Sequence, residues 1–240
     1  TSQGTLWVAL LGITLAVAHS VGTVTRIDLG LDLDSVATFS VSAPPQRWTG
    51  PAVWAPISEA LDAIPGVSSM ASSSPALLRG PALRFFVSVR GVEAEPLPVG
   101  TYEISSDFFR MFGIELLAGR ELNDTDTHTD TGYSAAIVSQ RFAERLGLTP
   151  DDILGRTIDL SFGFGTSVIV GVVADVRSGR ITEEIEPRMF LPGRGDTYYV
   201  RSARPPEDLM NAVRETVARV DSSMTVSSMS TMEQQFLDSI

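Results

Sequence analysis

Two stretches at opposite ends of this 240-residue chain follow one plan, strand then helix then strand, and that repetition restricts the topologies open to it. In the first, a strand covers about Val36 to Val41 and a helix follows over roughly Val53 to Ile64. Ile57, Leu61 and Ile64 fall on one face of that helix at i, i+4 and i+7. Pro56 fits only if the first turn starts near Ala55, and Pro65-Gly66 end the helix before a Ser-rich strand, Ser68 to Ser73. In the second, Tyr198 to Arg201 reads as a strand and Pro205-Pro206 open a helix. Leu209, Val213, Val217 and Val220 recur at helical spacing, and Met224 to Met229 is the last strand. Strands from both units can pair into one four-stranded sheet with two helices on one face, a split β-α-β arrangement. The expected fold class is therefore α+β. One lobe is discontinuous, residues 27–82 and 186–230, and residues 83–185 form an inserted, strand-rich second lobe.

Within the insertion, Leu83 to Val89 and Leu97 to Glu103 read as strands. Ser105 or Ser106 is positioned to cap a short helix through Met111, which Gly113 terminates. Phe108, Phe109, Met111 and Phe112 are too dense for one face of so short a helix. They read as a core plug rather than an aromatic ligand box. Ala135 to Val138 is a further strand, and Ser139 caps a helix to Leu146. The stretch Gly155 to Pro192 then gives a β-hairpin. Arg156 to Ser161 alternates apolar and polar residues, Gly163-Phe164-Gly165 turns the chain, and Val168 to Val173 is a β-branched strand. Met189 to Leu191 is a short apolar strand closed by Pro192 and Gly193.

The formal charge of −11 excludes a nucleic-acid partner, which needs a basic face to neutralise phosphates. With no cysteine, disulfide frameworks and thiolate chemistry are excluded too. Leu6 to Val24 carries no formal charge and spans about 19 residues, enough to cross a hydrocarbon core. Three readings stay open: the end of a transmembrane helix within residues 1–26, a signal peptide cleaved after Ala18, and a buried core helix. At the other end, Ser230-Thr231-Met232-Glu233 has the capping-box pattern. It starts a helix over residues 231–240 with Phe236, Leu237 and Ile240.

Little here points to chemistry. Asp124, Asp126, His128 and Asp130 alternate along a polar loop, but Thr129 and Ala135 stand where a calcium loop needs its Gly and Glu. A solvated loop is the simpler reading, with a looser cation site as the alternative. Gly163-Phe164-Gly165 opens no helix and so lacks the context of a phosphate cradle. Glu183, Glu184 and Glu186 read as a solvated acidic face that Arg177, Arg180 and Arg188 can pair with. No catalytic, cofactor or metal residues are assigned.

Several of these segments carry a family resemblance. Gly155-Arg156, VIVGVVADVR (168–177) and PRMFLP (187–192) resemble the end of the periplasmic core domain of MacB-like ABC transporter permeases, of the FtsX/MacB type. YEISSDFFRMFGIELLAGR (102–120) and IPGV (64–67) are similar to two further motifs of that family, in the same order. Ser105-Ser106-Asp107-Phe108 departs from its more frequent Tyr-Phe pair. The resemblance implies a ferredoxin-like, porter-type first lobe and a non-catalytic domain between two membrane helices. It also implies an ATPase subunit or domain elsewhere, since no Walker A motif occurs here. Further implied partners are the membrane, a second permease copy in a dimer and a periplasmic adaptor. The implied location is the periplasmic side of the bacterial inner membrane. A secreted or tethered periplasmic binding module is the alternative function, and a metal-dependent hydrolase using the acidic loop is a third.

Overall fold

The computed structural model describes residues 31–44, 54–78, 82–129, 132–176, 185–227 and 229–239. The apolar segment Leu6 to Val24 lies outside the described residues, as do Asp130, Arg177, Arg180, Glu183 and Glu184. Among the described residues no helix is long and apolar enough to cross a membrane.

In chain order the first elements are β1 (Val36–Ser42), α1 (Trp54–Asp62), β2 (Val67–Ser74), β3 (Leu83–Val89), β4 (Leu97–Ile104), α2 (Phe108–Phe112) and β5 (Leu116–Gly119). Then come β6 (His128–Thr129), β7 (Gly132–Tyr133), β8 (Ala136–Ser139), α3 (Gln140–Arg145), α4 (Pro150–Ile153), β9 (Thr157–Leu160) and β10 (Gly165–Val173). The remainder is β11 (Arg188–Pro192), β12 (Thr197–Ser202), α5 (Pro206–Val220), β13 (Thr225–Val226), β14 (Ser230–Thr231) and α6 (Met232–Ser239). This is a mixed α+β fold.

The terminal units pair in the order β2-β12-β1, every pair antiparallel, with β13 and β14 each adding to the far side of β1. Within the expected strand Met224 to Met229, β13 covers Thr225–Val226, and β14 follows outside it at Ser230–Thr231, where a helix start is expected. α1 and α5 pack on each other, and one apolar cluster holds Ile57 and Leu61 with Phe39, Tyr198, Val213 and Val217. Helix α1 begins at Trp54, which puts Pro56 in the first turn, where a missing N–H costs no helical bond. Val220, which spacing places on the apolar face of α5, is 40% exposed at the final turn.

The Tyr198 hydroxyl meets Ser58 Oγ at 3.4 Å inside this cluster, and burial pushes its pKa up to about 12. The core accepts the neutral phenol, and an unfolded tyrosine ionises near 10. The folded state therefore holds its proton where the unfolded state has lost it, so stability is whole below about pH 10 and falls between about 10 and 12. Melting followed by circular dichroism should show this alkaline loss, and Tyr198→Phe should move its midpoint upward.

Six strands close on themselves. β3 pairs with β4, β4 with β11, β11 with β8, β8 with β10, β10 with β9 and β9 with β3. The expected hairpin is present, with Thr157↔Val168 and Leu160↔Gly165 in register. One wall of this ring explains the continuous apolar runs. Along β4, β8 and β11, alternate side chains enter two different cores. Val99, Val138, Met189 and Leu191 join the cluster of Val87, Ile158 and Ile169. Tyr102, Ile104, Ile137 and Phe190 point the other way, into a cluster containing α2 together with Val36, Ala71 and Tyr199 of the terminal sheet.

Local capping differs from expectation. Asp107, not Ser105 or Ser106, occupies the N-cap of α2, without a side-chain capping bond, while Gly113 ends the helix in the left-handed region at φ 65°. Ser105 Oγ instead accepts from the Ser72 N–H at 3.0 Å, and Ser106 Oγ donates to Asp124 at 2.9 Å. Ser139 stands at the N-cap of α3, but its hydroxyl accepts from the Arg188 N–H at 3.1 Å rather than capping. Thr231, one residue after Ser230, accepts from the Gln234 N–H at 3.1 Å to cap α6.

Candidate functional site

The aromatic plug packs where the terminal strands join the six-strand ring, β2 pairing with β4 so that both belong to one continuous sheet. Phe108, Phe109 and Phe112 are each 0% exposed. Phe108 lies 5.0 Å from Phe112, 6.3 Å from Phe190 and 6.1 Å from Tyr199 between ring centroids, so it touches both the ring and the terminal strands. Phe109 and Phe190 pack edge to face at 5.1 Å, as do Phe112 and Tyr199. Such tilted and edge-on contacts suit the ring quadrupoles. The Tyr199 hydroxyl is satisfied inside the plug by Ser73 Oγ at 2.9 Å and by the Leu77 N–H at 2.6 Å.

Two arginines brace the junction. Arg201 on β12 reaches out of its own sheet, pairs with the Asp32 carboxylate at 3.1 Å and donates to the Met111 carbonyl at 2.9 Å and to the Asp34 carbonyl. The Met111 carbonyl sits at the end of α2, where helices leave acceptors unsatisfied. Arg188, 5% exposed, donates to the Tyr102 hydroxyl at 2.9 Å and the Val176 carbonyl at 3.2 Å, with its guanidinium 5.6 Å from the Tyr102 ring centroid. A buried cation requires such satisfaction. Arg188 therefore sits in the interior. Glu186 pairs with Arg84 at 2.5 Å.

Beside the junction a cleft of about 830 Å³ opens. It is lined by α1, β2, residues 103–107, the Asn123 to Thr127 loop and Gly193 to Asp196. Gly195 is required there, because a Cβ at that position would lie 1.9 Å from the Ser73 carbonyl carbon. Asp196 also lines the cleft, where burial pushes its carboxyl pKa upward.

The acidic loop is partly in this cleft, where Asp124 and Asp126 have protein partners. Asp126 takes a two-pronged contact from Arg120 at 2.6 and 2.9 Å and accepts from the Asn123 N–H at 2.9 Å. Asp124 accepts from Ser106. Among the described residues no three His, Cys, Asp or Glu side chains form a metal-binding group. The Gly163-Phe164-Gly165 turn follows a short 3-10 turn, Ser161–Gly163, with Phe162 at φ 60°. It joins the two hairpin strands and flanks no long helix.

The Arg120 hydrogen bond holds the Asp126 carboxyl below its ordinary value, against the opposing effect of burial. An unfolded aspartate titrates near 3.9, so the contribution is complete above that pH and is lost as pH falls through the depressed folded value. Arg120→Ala should cost about 1 kcal/mol at pH 7. Urea unfolding should show that difference shrinking below about pH 3.9.

The sequence profile of the MacB-like periplasmic core domain family matches residues 6–231. This chain belongs to that family. No curated protein sequence matches it. The periplasmic region of MacB from Actinobacillus actinomycetemcomitans is similar in fold, with a TM-score of 0.55 and 13% identity over 90% of this chain and 98% of that one. A domain of a putative permease protein from Porphyromonas gingivalis has a TM-score of 0.53 and 20% identity, covering 83% of this chain and 91% of its own. At such identities the likeness is one of fold. The MacB-like motifs at 102–120 and 187–192 fall on β4, α2, β5 and β11, the elements that form the plug and the shared wall. The sequence shows the plug but not the contacts of Arg188 with Tyr102 and of Arg201 with Met111, nor the cleft. The cleft had no local signal, since its lining comes from segments far apart in the chain.

Proposed function

We propose that this domain is the non-catalytic, extracytoplasmic part of an ABC transporter permease, held on the periplasmic side of the bacterial inner membrane. It couples ATP hydrolysis by a separate ATPase subunit or domain to export or to mechanical signalling. In this reading residues 27–82 and 186–230 form a ferredoxin-like, porter-type lobe around the β2-β12-β1 sheet. Residues 83–185 form the inserted lobe, to which β11 adds a strand. Residues 1–26 end one transmembrane helix, and residues 231–240 begin a helix leading to the next.

The observation that carries this reading is the aromatic plug. One core cluster holds side chains from both the ring and the terminal strands, so displacement of one part moves the other, as a lever requires. The pairing Ala37↔Thr231 adds support, for it places the start of β1 beside β14 and α6 and brings both ends of the described chain to one place. A second permease copy, the ATPase and a periplasmic adaptor are the partners that follow from this reading.

The test is to express the complete natural polypeptide with its neighbouring ATPase and fractionate the cells. Extraction only by detergent, with the ATPase co-purifying, is the expected result. A protein that fractionates as soluble and alone overturns the proposal.

A further inference from the structure

The loop that joins β5 to β6 carries a motif that the proposed function leaves unused. Asn123-Asp124-Thr125 has an asparagine with a hydroxyl residue two positions on and no proline between, the pattern of an N-glycosylation acceptor. The chain has two asparagines, and the other, Asn211, lies within α5 and is followed two positions on by Val213. Glu121, two residues before Asn123, adds a carboxylate that a cationic pocket can grip on the same segment.

So short a pattern recurs by chance, and the geometry around it decides whether it is usable. Asn123, Asp124 and Thr125 are all exposed, and none lies in a helix or strand. The Asp126 N–H closes the turn by donating to the Asn123 carbonyl at 2.9 Å. Buried Leu122 anchors the turn on one side, and the Arg120 contact to Asp126 anchors it on the other. Within the turn, Asn123 Oδ1 accepts from the Thr125 N–H at 2.9 Å and from the Thr125 hydroxyl at 2.5 Å. The amide and the hydroxyl that a transferase must read together are therefore held side by side at the surface. Asn123 Nδ2 donates no hydrogen bond among the described residues, so no described group has to be displaced from the reacting nitrogen.

We propose that Asn123 is N-glycosylated, taking an oligosaccharide from a donor linked to polyprenyl diphosphate. Nδ2 bonds to the anomeric carbon of the first sugar, the bond from that carbon to the phosphate oxygen breaks, and the polyprenyl diphosphate leaves with the electron pair. The nitrogen gives up one proton to a carboxylate of the transferase. Asn123 also lines the cleft, so the glycan stands beside it. This inference rests on the extracytoplasmic placement proposed above, since transfer from such donors takes place on that side of the membrane.

Mass spectrometry of the complete natural polypeptide, purified from its native cells, tests it. Cleavage after Arg120 and Arg141 releases residues 121–141, a peptide that holds Asn123 and several threonines. Electron-transfer fragmentation, which leaves glycans attached, is expected to locate one oligosaccharide on Asn123. The added mass should vanish in Asn123→Gln and in Thr125→Val, both at exposed turn positions where substitution costs little stability. The proposal is overturned by a peptide of unmodified mass, by a glycan located on a threonine, or by an Asn123 glycan that persists in Thr125→Val. Fractionation separates this failure from that of the placement. An unmodified peptide from a detergent-extracted protein that carries its ATPase overturns this inference alone, whereas one from a protein that is soluble and alone overturns both.

Discussion

Phe108→Ala is expected to lower the unfolding free energy by about 3–5 kcal/mol, the range for deleting a fully buried ring. The substitution removes the ring that meets Phe109, Phe112, Phe190 and Tyr199 together, and α2 is too short to slide into the void without losing its Gly113 terminus. Urea unfolding at neutral pH gives the loss directly. The same cut at an exposed aromatic is the comparison: Phe162→Ala, at a position 77% exposed, should change stability by less than about 0.5 kcal/mol. If both substitutions cost the same, the plug is not what joins the terminal strands to the ring.

Gly195→Ala is expected to cost about 3 kcal/mol, at the upper end for forcing extra volume into packed structure. The added methyl meets the backbone of Ser73, which cannot swing aside as a flexible side chain does. Ser73 pairs with Ile104 where β2 joins β4, so the strain falls on the hydrogen bonds that link the terminal strands to the ring. Gly147 provides the contrast. A Cβ there meets nothing within 4 Å, and its cost is confined to its backbone angle, φ 69°. Chemical denaturation of both variants separates collision from conformation.

Much of the fold could be read from local pattern. The strands at 83–89 and 97–104, the hairpin around Gly163 and the amphipathic α5 all follow from alternation, helical spacing and turn residues. What stayed hidden is long-range. Nothing near Met189 announces that its strand lies parallel to β4 and antiparallel to β8, because those bonds are chosen by the shape of the whole ring. The serines misled for a related reason. Ser105, Ser106 and Ser139 each stand where a cap is expected, but a partner distant in sequence takes the hydroxyl: the Ser72 N–H, Asp124 and the Arg188 N–H. Short strands escaped as well, since β5 carries Leu-Leu-Ala-Gly with no strong strand preference and exists because it pairs with β10. The cleft was illegible throughout.

The wall formed by β4, β8 and β11 serves two cores with one set of strands. It follows that the molecule has no seam. A cut near residue 83 or residue 185 strips the terminal strands of the rings that cover Tyr199 and strips the six-strand ring of the surface that covers Phe108. Neither fragment keeps a closed interior, and heat should melt the described fold in a single calorimetric transition. Chimeras between relatives are bound by the same fact: a grafted segment must bring its own matched aromatic set, and the natural unit of exchange is the whole of residues 31–239.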